Sequence, residues 1–212
     1  TPFAPVASLD TGVGFVGPHG DQLRLHGLAG AGGEAPFLWG VLVEGARVQS
    51  DGFKHVVGKP DAPTGFVRDD VMLKARVGSG FLEEVRHTLE LKLGFQREDS
   101  NETYLGLSDA DFRQDALARY AASQADHMAW GRTQGQLRYS LAVADVDVDV
   151  VAYRHDLARS WNKVNGLRGA PGLHDVLTFA DAGVFPLFVQ RLRRGEDAGE
   201  DGGSAVLIGP NQ

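Results

Sequence analysis

The run from Val85 to Phe95 alternates almost without a break: Val85, Leu89, Leu91, Leu93 and Phe95 fall on one face of an extended chain, and Arg86, Thr88, Glu90 and Lys92 on the other. Successive side chains of a β-strand point to opposite sides, so this period of two fits a strand with one apolar and one polar face, and fits no helix. The pattern recurs. Val71, Leu73, Ala75 and Val77 alternate with Asp70, Lys74 and Arg76; Leu137, Tyr139 and Leu141 with Gln134, Gln136, Arg138 and Ser140; Val146, Val148, Val150 and Ala152 with Asp147 and Asp149. Less regular strands are predicted at Leu9 to Val16, Gln22 to Ala29 and Phe37 to Gln49, and Ala205 to Ile208 opens another.

These runs span about nine to thirteen residues, beyond the usual five or six of globular strands and close to the roughly 9–11 that cross a bilayer at a tilt. Their connectors alternate in length. Gly52 to Arg68 is long, Gly78 to Gly80 brief, Arg97 to Ala129 very long, Ala142 to Asp145 brief, and Ser160 to about Ala205 long again. Short turns on one rim and long loops on the other are how outer-membrane barrels are built, whereas a soluble sandwich has no reason to keep that asymmetry. The expected fold class is all-β, an antiparallel meander of long strands forming part of a transmembrane β-barrel, with short helices in the long external loops. Ser108 and Asp111 resemble a capping box, with Phe112, Leu117, Tyr120 and Ala121 at roughly helical spacing. A second helical stretch runs from Gly172 to Arg194, with Leu173, Val176, Leu177 and Ala180 on one stripe and a break or kink at Pro186. Such helices are expected to wall a vestibule rather than to form a core.

The 212 residues are 42% hydrophobic, enough for a folded domain, and carry a formal charge of −7. A nucleic-acid partner is excluded because phosphate binding needs a clustered basic face. The densest basic run, Arg191, Arg193 and Arg194, is followed at once by Glu196, Asp197, Glu200 and Asp201 and reads as a solvated loop. The absence of cysteine rules out disulfides and thiolate metal sites and agrees with a periplasm-facing compartment. The start at Thr1-Pro2-Phe3-Ala4-Pro5 shows no signal-peptide pattern, and no apolar stretch approaches the ~20 residues of a membrane helix.

Motifs that suggest chemistry fail on context. Asp145-Val146-Asp147-Val148-Asp149 imitates half of a calcium loop, but Val150 stands where the turn requires Gly. The stretch Gly27 to Gly33 reads as a flexible turn, since no helix follows to present amides to a phosphate. The seven histidines form no ligand-spaced pair. Tyr153-Arg154-His155-Asp156 alternates across a strand and cannot make one relay, and no G-x-S-x-G motif accompanies it. Neither enzymatic activity nor a cofactor is expected. Trp130, Tyr139, Tyr153 and Trp161, with Phe37, Trp39 and Phe81, are candidates for aromatic belts at two membrane interfaces, ordinary sheet packing being the alternative.

Extended strings carry a family resemblance. Val43-Glu44-Gly45, Gln49 to Lys54, Gly65 to Lys74, His87 to Phe95, Asn101 to Phe112, Arg119 to Ser123 and Asp126 to Gln134 resemble the beginning of the barrel of TonB-dependent outer-membrane receptors of the ferric-citrate or siderophore type, over most of Gly40 to Gly166. The resemblance implies a Gram-negative outer-membrane location in contact with lipid and a ferric chelate or similar scarce nutrient as ligand. It also implies coupling to the TonB system through a plug domain, which residues 1–212 lack, as they lack the C-terminal strands. About seven strands and part of an eighth are expected, so other barrel segments of the same receptor must complete the wall. Arg113, Arg119, Arg132 and Lys163 are the candidate ligand-binding residues, because cationic donors near loop rims suit carboxylate-bearing chelates. The competing readings are a soluble β-sandwich binding or adhesion module and a non-gated diffusion porin.

Overall fold

The computed structural model describes residues 6–15, 21–34, 37–79, 84–195 and 206–211, with side chains for 21–34, 37–79 and 84–195. The long strands are β1 (Val6–Phe15), β2 (Asp21–Gly33), β3 (Leu38–Ser50), β5 (Phe66–Gly78), β6 (Val85–Ser100), β8 (His127–Val143), β9 (Val146–Leu167) and β10 (Val206–Asn211). They form one eight-stranded sheet in the order β1-β2-β3-β5-β6-β8-β9-β10. Every neighbouring pair is antiparallel. Two short strands, β4 (His55–Val56) and β7 (Ala118–Arg119), pair in parallel between two loops.

Register carries the alternation of single strands across the sheet. Val43, Leu73, Leu93 and Gly135 occupy one row of directly opposed residues, and Val41, Ala75, Leu91, Leu137 and Ala152 the next. A slip of one residue anywhere would put charges into this apolar face, so the pattern itself fixes the pairing. The face is exposed: Leu89, Leu91, Leu93 and Phe95 have relative exposures of 40%, 37%, 40% and 65%. Their polar neighbours Thr88, Glu90, Lys92, Gln96 and Glu98 are the more covered ones. The usual order of a soluble protein is thus inverted, as happens when a sheet curls toward its polar side. Among the described residues no second sheet packs on the apolar face, the β4 and β7 bridge being the only other pairing of strands.

The apolar band of β6, from Val85 to Phe95, covers about 33 Å at roughly 3.3 Å per residue. Beyond it the outward face turns polar. Asp69 accepts from Arg47 and from Arg97 at 3.1 Å each, bridging three strands on the loop side of the band. The strands also run further than their alternation suggests: β6, β8 and β9 reach 16, 17 and 22 residues. Ladder hydrogen bonds continue up into the rim where the hydrophobic pattern has ended, so the long connectors shrink to 51–65, 101–126 and 168–205.

These three connectors leave the same edge of the sheet, and 34–37, 79–84 and 144–145 turn at the other. The long ones build a cap. Its helices are α1 (Asp109–Gln114), α2 (Leu173–Thr178) and α3 (Pro186–Arg194), with a 3-10 turn at Ala121–Ser123. Ser108 caps α1 by accepting from the Asp111 backbone N–H at 3.3 Å, as the capping pattern implied. Pro186 opens α3 instead of kinking a longer helix, because its fixed φ and missing N–H suit the first turn. The chain's main buried hydrophobic cluster lies here, formed by Tyr120, Ala122, Val164, Leu167, Val176, Val189 and Leu192. The helices therefore do more than wall a vestibule: with the sheet's apolar face turned outward, the loops are where nonpolar side chains leave water.

Two sequence expectations need correction. The glycine-rich segment at Gly27 to Gly33 is not a turn but the second half of β2, paired to β3. Its small residues make room: a Cβ on Gly33 would sit 2.9 Å from the Trp39 indole nitrogen, so the ring lies over glycine. Of the proposed belt aromatics, Trp130, Tyr153 and Trp161 lie on the polar face opposite Glu98, Gln136 and Met128, and cannot meet an outer interface. Tyr139 and Trp39 do share the apolar face, opposite Leu89 and Val77. Phe81 lies outside the described residues.

Candidate functional site

The polar face of the sheet and the cap above it form the candidate site. Inward cations are Arg24 on β2, Arg68, Lys74 and Arg76 on β5, Arg86 and Lys92 on β6, Arg132 and Arg138 on β8, and Arg159 and Lys163 on β9. Among residues whose side chains are described, they outnumber the carboxylates of the same face, Glu44, Asp70, Glu90, Glu98, Asp147 and Asp149, although the chain as a whole carries −7. A concave face of net positive sign raises the local concentration of anions.

The structure separates the four residues singled out from sequence. Arg132 and Lys163 face inward on neighbouring strands. Arg132 donates to Gln134 Oε1 at 3.2 Å and lies 3.2 Å from His155 Nδ1. Lys163 Nζ stands 5.0 Å from the ring centroids of both Tyr104 and Trp161, and those rings are 4.3 Å apart. Arg113 is exposed on α1, 3.7 Å from Asp109 one turn earlier. Arg119 has a different job. It is 4% exposed, donates to the carbonyls of Asn101 at 2.5 Å and Ser123 at 3.0 Å, and so clamps the 101–126 loop. Burial pulls its pKa down from the ordinary guanidinium value.

Arg159, Arg68, Trp161 and Tyr104 were missed in the sequence. Arg159 lies 5.6 Å over Trp161, and Arg68 lies 5.7 Å over Trp130, opposite Arg159 in the ladder. Cation–π stacking of this kind leaves guanidinium and ammonium edges free to meet an anion while the aromatic rings fix their direction. The Trp161 indole N–H is itself buried without a hydrogen-bond partner among the described residues. Parity along β9 would have found this group had the strand been carried past Ser160.

Above the face, Asp111 ties the cap together. It accepts from Arg193 at 2.7 and 3.0 Å and from the Tyr120 hydroxyl, which in turn accepts from the Ser108 N–H at 3.0 Å. Burial alone would raise the Asp111 pKa, but the hydrogen bonds from Arg193 and Tyr120 outweigh it and hold the carboxyl below its ordinary value. Asp126, 2% exposed, is pushed up by burial although Thr103 and the Val164 N–H donate to it. The space between β4, α1 and Arg193 is a cleft of about 520 Å³ lined by His55, Val57, Gln114, Asp115 and Tyr120.

Comparison with known proteins gives no match: no family model, no curated protein and no solved structure matches the chain.

Proposed function

We propose that this chain is a segment of the β-barrel of a TonB-dependent outer-membrane receptor, whose cap and inward face receive a ferric chelate or a similar scarce anionic nutrient. One observation carries the reading: along β6 the apolar side chains are exposed while Thr88, Glu90, Lys92, Gln96 and Glu98 on the other face are half-buried. Water would make that arrangement costly, whereas hydrocarbon outside and an aqueous interior make it favourable. The long connectors gathered at one edge, and the family resemblance of residues 40–166, support the same assignment. A sandwich would need a second layer over Leu89, Leu91 and Leu93. The cap, which roofs one end of the polar face, favours a receptor over an open porin.

In this reading Arg132 and Lys163, joined by Arg159, receive the ligand from Arg113 at the cap surface, and Arg119 shapes the loop that carries Arg113. The assignment is tested by flotation with lipid vesicles. The chain is expected to rise with the lipid and to need detergent to stay dispersed; a chain that stays dispersed in buffer and remains at the bottom of the gradient overturns it. For the intact receptor, Lys163→Gln and Arg132→Gln are expected to slow iron-limited growth on the cognate chelate, and unchanged growth removes these residues from the ligand site.

A further inference from the structure

On the polar face of β5 and β6, directly opposed charged residues are opposite in sign with one exception. Arg76 faces Glu90 and Arg68 faces Glu98, while on the outward side Asp69 faces Arg97. Lys74, however, directly faces Lys92. Like charges placed opposite one another in an antiparallel ladder repel, so a sheet gains nothing from this pair unless something negative completes it. Both lysines are half-buried, and neither has an ion-pair or hydrogen-bond partner among the described residues.

The amides of Gln134 and Gln136 stand beside the pair. In the same row Leu42 flanks Lys74 and Gln136 flanks Lys92. One step toward the cap, Gln134 lies across Gly94, where a Cβ would come within 2.5 Å of its amide nitrogen, so glycine lets that side chain lie flat beside Lys92. Of the nearby carboxylates, Glu44 pairs with His26 at 2.8 Å and Asp149 with Arg138 at 3.1 Å, while Asp70 meets Arg68 at 3.0 Å through one oxygen and keeps the other unpartnered. None of them pairs with Lys74 or Lys92 among the described residues.

We propose that Lys74 and Lys92, with the amides of Gln134 and Gln136, bind a small polyvalent oxyanion of the carboxylate or phosphate class midway along the polar face. A ligand with two or more negative charges bridges the ammonium groups and relieves their repulsion, and lysine's flexible stem suits it as a point-charge donor to carboxylate or phosphate. The site rests on the reading of this face as the wet interior of a barrel. It lies below the Trp161 group, so it is a second station for an anion that has passed the rim.

The test is calorimetric titration of the full chain in detergent at low salt, with citrate in one arm and inorganic phosphate in the other. Saturable binding of at least one probe is expected. Lys74→Gln or Lys92→Gln should weaken it at least tenfold and the double variant should abolish it, while the Lys74→Arg, Lys92→Arg pair retains it. Lys59→Gln, a loop substitution, should leave it unchanged. No binding of either probe, equal binding by the double glutamine variant, or equal weakening by Lys59→Gln overturns the site. Vesicle flotation of the same samples separates the two claims. A chain that floats but binds neither probe loses the site and keeps the membrane reading; one that binds but does not float keeps the site and loses the membrane reading.

Discussion

Asp111 illustrates how much of the cap hangs on a single carboxylate. Its carboxylate accepts from both Arg193 and Tyr120, so Asp111→Asn leaves the guanidinium and the buried hydroxyl short of their partner. The expected cost is about 1.5–3 kcal/mol of cap stability, the usual range for hydrogen bonds to a charged group. Its pH dependence has a definite sign. Because the folded pKa lies below the unfolded one, the contribution is complete above the ordinary carboxylate range and disappears as pH falls through the folded value. Amide exchange at α3 should therefore stay slow through mildly acidic pH in the native chain and be faster in the variant there, the difference closing once pH falls below the folded value. Equal exchange rates in the two proteins would show that the latch contributes nothing. No sequence pattern foretold this pair, since Asp111 and Arg193 are far apart in the chain and Arg193 sits in a run that reads as solvated charge.

The strands differ in how openly they announce themselves. In β5, β6, β8 and the first half of β9, one face is apolar and the other charged, so existence, direction and facing all follow from period two. Their upper ends were hidden because beyond Phe95, Gly131 and Ala152 the outward face becomes polar or small while backbone pairing continues. β2 was obscured by its glycines, one of which, Gly33, makes room for Trp39 on the next strand, a contact between strands and thus invisible to a local pattern. At the candidate site Arg132 and Lys163 were legible as rim cations, but the stacking of Lys163 and Arg159 on Trp161 depends on the length of β9. A substitution within a strand tests facing directly. Leu91→Arg is expected to cost about 2–4 kcal/mol in lipid, where the side chain must enter hydrocarbon, and next to nothing if that face meets water. Urea titration of the chain reconstituted in bilayers reads the difference, and an effect near zero there would contradict the outward assignment.

Taken whole, the molecule places its nonpolar packing in two unlike environments. The cap buries nonpolar side chains, Val176 and Leu192 fully, in a cluster shared with Val164 and Leu167 at the end of β9. The sheet leaves Val85 and the leucines of β6 exposed and half-buries Glu90, Lys92 and Glu98 on its other face. Both halves follow from the same hydrophobic effect once the solvent outside the sheet is taken to be hydrocarbon. The chain's lack of cysteine makes that premise directly measurable, because a single introduced thiol can be spin-labelled without background. Labels are placed one at a time from Leu89 to Gly94 in the lipid-reconstituted chain, and their collision rates with oxygen and with a water-soluble nickel chelate are compared. The account requires the two rates to alternate out of phase, oxygen dominating at Leu89, Leu91 and Leu93 and the nickel chelate at Glu90, Lys92 and Gly94. Equal accessibility to the nickel chelate on both faces, or burial of Leu91 from both reagents, would contradict it.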